Sequence, residues 1–186
     1  VILLLLISTL TGTAHDLFRD YVQHRVRVTL SSNHVDLTVA LTLFEVEAER
    51  ERARMDVDRD GRIQRTELSA YGAGLAARLT NQVRLLVEGR VVELSPLHEP
   101  EIDLLGDERP GEAHVRVNLF FFATKPAKLI DGAEFVIEDR LWPASPALLN
   151  LDAEGLDGAV LEAVRPPDPI SRALREGQTR TLRARL

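Results

Sequence analysis

The twelve residues Asp56-Val57-Asp58-Arg59-Asp60-Gly61-Arg62-Ile63-Gln64-Arg65-Thr66-Glu67 constrain this chain more than any other stretch. Carboxylates stand at positions 1, 3, 5 and 12 of the run, with a glycine at position 6. Like charges packed this closely repel one another, so the spacing makes physical sense as a ligand set for a hard cation. Alternate residues of a tight loop converge on one point, and a calcium ion takes six to eight oxygens at about 2.3–2.6 Å. Asp56, Asp58 and Asp60 supply short side-chain oxygens, Arg62 its backbone carbonyl, Gln64 a direct or water-bridged contact, and Glu67 both carboxylate oxygens. Gly61 permits the sharp turn that a Cβ resists. Ile63 is apolar because residue 8 of such a loop packs a short backbone pairing behind it. Arg59, Arg62 and Arg65 relieve some repulsion from the non-ligating side.

This pattern resembles the EF-hand calcium loop at every ligand position. The resemblance implies a helix-loop-helix unit holding calcium through Asp56, Asp58, Asp60, Arg62, Gln64 and Glu67. The flanks agree with it. Phe44 to Met55 is rich in Glu, Ala and Arg, which favour helix over strand, and Glu47, Arg50, Glu51 and Arg54 are spaced for i,i+3 and i,i+4 pairing. After the loop, Leu68, Tyr71, Leu75 and Leu79 form the apolar stripe of a leaving helix that ends near Asn81. Gly72 and Gly74 weaken that helix while admitting a close neighbour. A second loop fails at Asp152–Gly158, where Leu156 and Asp157 occupy a ligand position and the glycine position. The unit is therefore unpaired, and its only methionine is Met55. Sensor hands open to expose a methionine-rich groove, so calcium is expected to brace the structure rather than switch it.

On either side of this unit the hydrophobic period is two. Val22, His24, Val26, Val28 and Leu30 alternate with polar residues, and Val35, Leu37, Val39, Leu41 and Leu43 do so after Ser31-Ser32-Asn33. Two such runs about a polar turn predict an antiparallel hairpin with one buried face. His24 falls on that face and reads as a hydrogen-bonded core histidine. Further strands are expected at Val83–Val87 and Arg90–Leu94 around Glu88-Gly89, at Ala113–Phe122, Glu134–Arg140, Ala147–Leu151 and Ala159–Val164, with 95–112 a long acidic loop. About eight short strands predict an α+β chain, mainly an antiparallel β-sandwich with the helix-loop-helix inserted at 44–80.

Composition narrows the role. A net charge of −6 without a basic face on the main body argues against nucleic acid. Cysteine is absent, which removes disulfides, thiolate metal sites and cysteine nucleophiles. The apolar run Val1–Ile7 and the small residues Gly12 and Ala14 read as a signal peptide over 1–14, shortened at its front, against the alternative of a buried N-terminal element. Export follows, to the periplasm or beyond. The domain is expected over 15–165. After Pro166-Pro167-Asp168-Pro169, the arginine-rich stretch 166–186 reads either as a solvated linker or as a juxtamembrane tail leading to a membrane domain.

The order of parts has a broader resemblance. Ala14-His15-Asp16-Leu17, a β-hairpin, one EF-hand and the segment Ile137-Glu138-Asp139-Arg140-Leu141-Trp142-Pro143 are similar to the extracytoplasmic N-terminal domains ahead of some bacterial nickel/cobalt and hydrogenase- or urease-accessory-type permeases. That resemblance implies a periplasmic module accessory to a membrane metal transporter. A mature N-terminal His15 could chelate copper or nickel with His24, His34 or His114, or could be a surface residue beside a cleavage site. Nucleophile elbow, zinc-protease helix, phosphate loop and dinucleotide fingerprint are all missing, so a non-catalytic calcium-binding module is expected. The alternative is an exported hydrolase that uses calcium only for stability.

Overall fold

The computed structural model describes residues 19–31, 34–111, 113–124, 132–156 and 160–185. The expected signal segment 1–14 and His15 lie outside the described residues, as does the turn at 32–33. The alternating runs form β1 (Val22–Leu30) and β2 (His34–Leu43), an antiparallel pair with Val22 opposite Leu43 and Leu30 opposite Val35. Their apolar positions are buried throughout, while Arg25 and Arg27 face solvent.

The chain then enters α1 (Glu45–Met55) and α2 (Arg65–Leu79), and returns to strands at β3 (Val83–Val87) and β4 (Arg90–Val92). β5 (Ser95–Pro96), β6 (Glu101–Leu104), β7 (Val115–Thr124), β8 (Glu134–Asp139), β9 (Ala147–Gly155), β10 (Glu162–Arg165), β11 (Ile170–Ser171) and β12 (Arg180–Arg185) follow. One sheet has the order β11-β9-β1-β2-β7-β5, with β6 also on β7; the other runs β10-β12-β8-β3-β4. The helices thus connect a strand of the first sheet, β2, to a strand of the second, β3. Both sheets and both helices contribute to one buried cluster, which holds Val26, Leu41, Leu85, Ile137 and Leu182 together with Met55, Ile63 and Leu75. Each such side chain contributes about 1.5–3 kcal/mol through burial. Among the described residues no helix is long and apolar enough to cross a membrane.

Three sequence expectations change. The loop 95–112 carries β5 and β6, short edge strands laid on β7, where charge and proline are tolerated because one side of the ladder faces water. The sheets are not wholly antiparallel: β9 lies parallel to β1, Val22 beside Ala147 and Leu30 beside Gly155. Parallel neighbours need a long crossover, and here nearly the whole domain separates the partners. Finally, where 166–186 read as a basic linker or juxtamembrane tail, residues 170–171 and 180–185 are strands paired into the two sheets, so the fold runs past 165. β12 sits between β10 and β8, with Arg180 opposite Asp139 and Arg185 opposite Glu134. Its arginines hid a period-two pattern: Leu182 and Ala184 turn inward and are 0% and 1% exposed, while Arg183 and Arg185 turn outward.

A chain cut after Pro169 should therefore lose its cooperative urea transition, and Leu182→Ala should lower stability by about 2–5 kcal/mol. Fluorescence of the single tryptophan, Trp142, reports both. A truncated chain as stable as the full one would restore the linker.

Candidate metal centre

α1 begins directly after β2, with only Phe44 between them in extended backbone. Glu45 and Glu47 lie in its first turn and Arg52 and Arg54 in its last, matching the helix dipole at each end. α2 starts at Arg65 behind a reciprocal cap formed by Gln64 and Glu67. The intervening residues fold back on themselves. Gly61 adopts φ +82° and Arg59 φ +59°, the left-handed region that glycine occupies freely and arginine does not.

Asp56, Asp58 and Asp60 each present a carboxylate oxygen, and these atoms lie within 4.8 Å of one another. Backbone donors hold the three in place. Gly61 N–H donates to Asp56 Oδ2 at 3.2 Å, Asp60 N–H to Asp58 Oδ1 at 3.1 Å, and Arg62 N–H to Asp60 Oδ1 at 2.7 Å. Gln64 joins through Nε2, which donates to Asp60 Oδ2 at 3.2 Å. Asp58 and Asp60 are exposed, but Asp56 is only 8% exposed and its Oδ1 has no hydrogen-bond partner. A buried carboxylate oxygen left unpaired is costly. Next to two further carboxylates, it is an atom that a hard cation would satisfy.

Glu67 stands apart from that convergence. Its Oε1 accepts from the N–H groups of Val57 at 2.7 Å and Asp58 at 3.3 Å, and its Oε2 from Gln64 N–H at 2.8 Å. One carboxylate thus ties the start of the loop to its end. The Gln64 hydrogen bond, against desolvation and helped by the bonds from Val57 and Asp58, holds the Glu67 carboxyl below its ordinary value, with Asp60 opposing least. Arg62 contributes its backbone N–H, and its exposed side chain lies 3.7 Å from Glu108.

The residues behind the loop were less legible. Ile63 is buried, and its N–H donates to the carbonyl of Glu108 at 2.6 Å, so the backbone pairing expected at that position runs to the acidic segment that read as solvated. Glu51, 2% exposed, accepts from the Tyr71 hydroxyl and pairs with Arg54 and with Arg78 at 3.5 Å. Burial, and then Glu51, push the Tyr71 phenol up from its ordinary value. Arg78 in turn lies 5.8 Å from the ring centre of Trp142. Tyr71 belonged to a predicted core stripe, but nothing in its spacing told of a buried carboxylate beneath its hydroxyl.

His24 is a core histidine, as its place in the alternation implied. Its Nδ1 lies 2.6 Å from Asp139 Oδ2, joining the two sheets, and both residues are 0% exposed. Imidazole and carboxylate form the basic half of many hydrolytic sites, yet this pair is closed off from solvent. His34 on β2 bonds to Asp36, and His114, just before β7, lies 3.4 Å from Glu45. The described histidines that could have joined His15 therefore already have carboxylate partners. Compared with family models and with curated proteins, the chain has no significant match.

As pH falls, Glu67 should stay ionised below the ordinary glutamate value. Its folded value is depressed, so its stabilisation is present above the unfolded carboxylate pKa and is lost as pH drops through the folded one. Tyr71 has the opposite sign: its contribution is full below the ordinary tyrosine range and lost as pH rises through the raised value. Carboxyl NMR and absorbance titration of the tyrosines measure the two. A Glu67 that titrates with the other glutamates would contradict the loop-tying geometry.

Proposed function

We propose that this chain is a calcium-binding, non-catalytic extracytoplasmic module, in which an EF-hand-like loop braces a face-to-face β-sandwich. The observation that carries the reading is the convergence of Asp56, Asp58 and Asp60 around a buried, unpartnered Asp56 oxygen. Asp56, Asp58 and Asp60, with the Arg62 carbonyl, Gln64 and Glu67, are the residues that would hold the ion. Bound calcium supplies positive charge, offsetting carboxylate repulsion and satisfying that oxygen. Gly61 and the Asp side chains then need little rearrangement, because backbone N–H groups already orient them. Glu67, which holds three backbone N–H groups, would have to exchange the most to ligate the ion.

A brace fits the packing better than a switch. Ala48 and Met55 of α1 and Leu75 and Leu79 of α2 are buried in the cluster shared with the sheets. Opening the pair would expose these side chains, and Met55 is the only methionine available to line a groove. The signal-like N-terminus and the resemblance to permease-associated domains support an extracytoplasmic place beside a membrane metal transporter. The hydrolase reading has the His24–Asp139 pair in its favour, but that pair is fully buried and no substrate reaches it.

Titration calorimetry should give one calcium site with a dissociation constant on the order of 10⁻⁵ to 10⁻³ M, as in extracellular modules. Asp58→Asn and Glu67→Gln should each weaken it sharply. At a hundredfold excess over the dissociation constant, calcium should add about 2.7 kcal/mol and raise the melting temperature by several degrees. Binding of a hydrophobic dye should stay flat. Identical melts with calcium and with chelator would remove the brace, and a large dye signal would make the unit a sensor.

A further inference from the structure

Behind the ion loop lies a second loop, described over 105–111 and 113–114, organised around one side chain from elsewhere in the sequence. Arg52 of α1 is 0% exposed. Its Nη1 donates to the carbonyls of Asp107 at 2.6 Å and Arg109 at 2.8 Å, and its Nη2 to those of Leu105 and His114, both at 3.1 Å. The terminal nitrogens of a guanidinium carry four N–H groups in one plane, and this loop takes all of them. Leu105 N–H donates to the His114 carbonyl at 3.1 Å and closes the base. Gly106 at φ +109° and Gly111 at φ +153° let the chain curl round the cation. Carbonyl oxygens gathered on a buried positive charge resemble what an ion loop builds round a metal, except that here the cation belongs to the protein.

Among the described residues the two loops meet through one backbone hydrogen bond, from Ile63 N–H to the Glu108 carbonyl. Glu108 lies between Asp107 and Arg109, the residues pinned to Nη1, so its carbonyl is held in one orientation. The exposed Arg62–Glu108 pair adds little beside this, since surface ion pairs contribute at most about 1 kcal/mol.

We propose that Arg52 is the positioning residue of the metal centre. As the built-in cation of loop 105–114, it shapes that loop so that Glu108 fixes the ion loop at Ile63, filling the place a second metal-binding loop would take. The proposal rests on the calcium reading above. Lysine cannot substitute, because a compact ammonium with three donors does not span carbonyls spread around a planar fork. An apolar residue would take the guanidinium donors away from the carbonyls of Leu105, Asp107 and Arg109, and leave His114 only its bond from Leu105 N–H.

The test combines calcium calorimetry with hydrogen exchange on the full chain. In the unmodified protein, calcium should slow amide exchange across 105–111, far from the ligands in sequence. Arg52→Lys should lose that protection and weaken calcium binding by about 10–100-fold, the usual effect of removing a residue that supports metal ligands. Gly106→Val perturbs the same loop while keeping Arg52: an added Cβ meets that of Ala113 at 3.2 Å, at a φ that L residues rarely adopt. It should weaken binding in the same direction, and it decides the matter if Arg52→Lys does not fold. Both folded variants binding calcium like the unmodified protein would overturn the role of Arg52, as would unchanged exchange of 105–111 when calcium is added. An unmodified protein that takes up no calcium overturns the metal reading itself, a result distinct from binding that is indifferent to Arg52.

Discussion

Removing a charge from water costs several kcal/mol unless partners replace the lost solvation, and this fold removes several where its helices meet its sheets. His24, Glu51, Arg52, Asp139 and Arg180 are all at most 3% exposed. Arg52 and Arg180 are met by backbone carbonyls, and Glu51 by the side chains of Tyr71, Arg54 and Arg78. Asp139 takes His24 and the Leu141 N–H, and Arg180 donates to the carbonyls of Leu141 at 2.8 Å and Ser145 at 3.1 Å. Ser145 in turn donates to Glu47 of α1 at 2.9 Å. The segment 139–145 therefore links β1, α1 and the last strand, and the chain cannot place any of them wrongly without stranding a buried charge. Breaking such a pair by removing one partner costs about 3–5 kcal/mol, more than most single apolar contacts.

That arrangement explains what was legible in advance and what was not. The β1–β2 hairpin, the flanks of the helix pair and the grouping of Asp56, Asp58 and Asp60 follow from local spacing, because period and turn chemistry act over a few residues. The parallel pairing of β9 with β1 joins Val22 to Ala147 across nearly the whole chain, and the capture of β12 joins Arg180 to Asp139 across several intervening elements. Arg180 shows the difficulty. In a list of arginines it reads as solvated charge, and only the backbone carbonyls of a distant turn make burial affordable. Arg52 is the same case within a helix: its neighbours Arg50 and Arg54 form the expected i,i+3 pairs, while it turns inward to carbonyls more than fifty residues later.

The candidate site divides along the same line. Short-range rules placed the three aspartates and the left-handed Gly61. They did not anticipate that Glu67 would hold the backbone N–H groups of Val57, Asp58 and Gln64. A carboxylate beside exposed donors bonds to them when no cation competes, which is the ordinary behaviour of a residue opening a helix. The same contacts tie the two ends of the loop together.

Charge within the loop bears on why calcium here should brace rather than switch. Residues 56–67 carry four carboxylates and three arginines, a net charge of −1. Repulsion among the carboxylates is thus largely offset within the loop itself, and the ion-free form is not driven far open. Asp58 and Asp60 sit in water, where their repulsion is weak, whereas the helix faces behind them are locked into a core shared with both sheets. Opening would have to overcome that burial, and the energy a site of modest affinity supplies is only a few kcal/mol. On the proposed calcium reading, losing the ion would loosen the loop and its junction at Ile63 before it moved a helix. Because α1 and α2 form the connection from one sheet to the other, stiffening this loop stiffens the joint between the sheets.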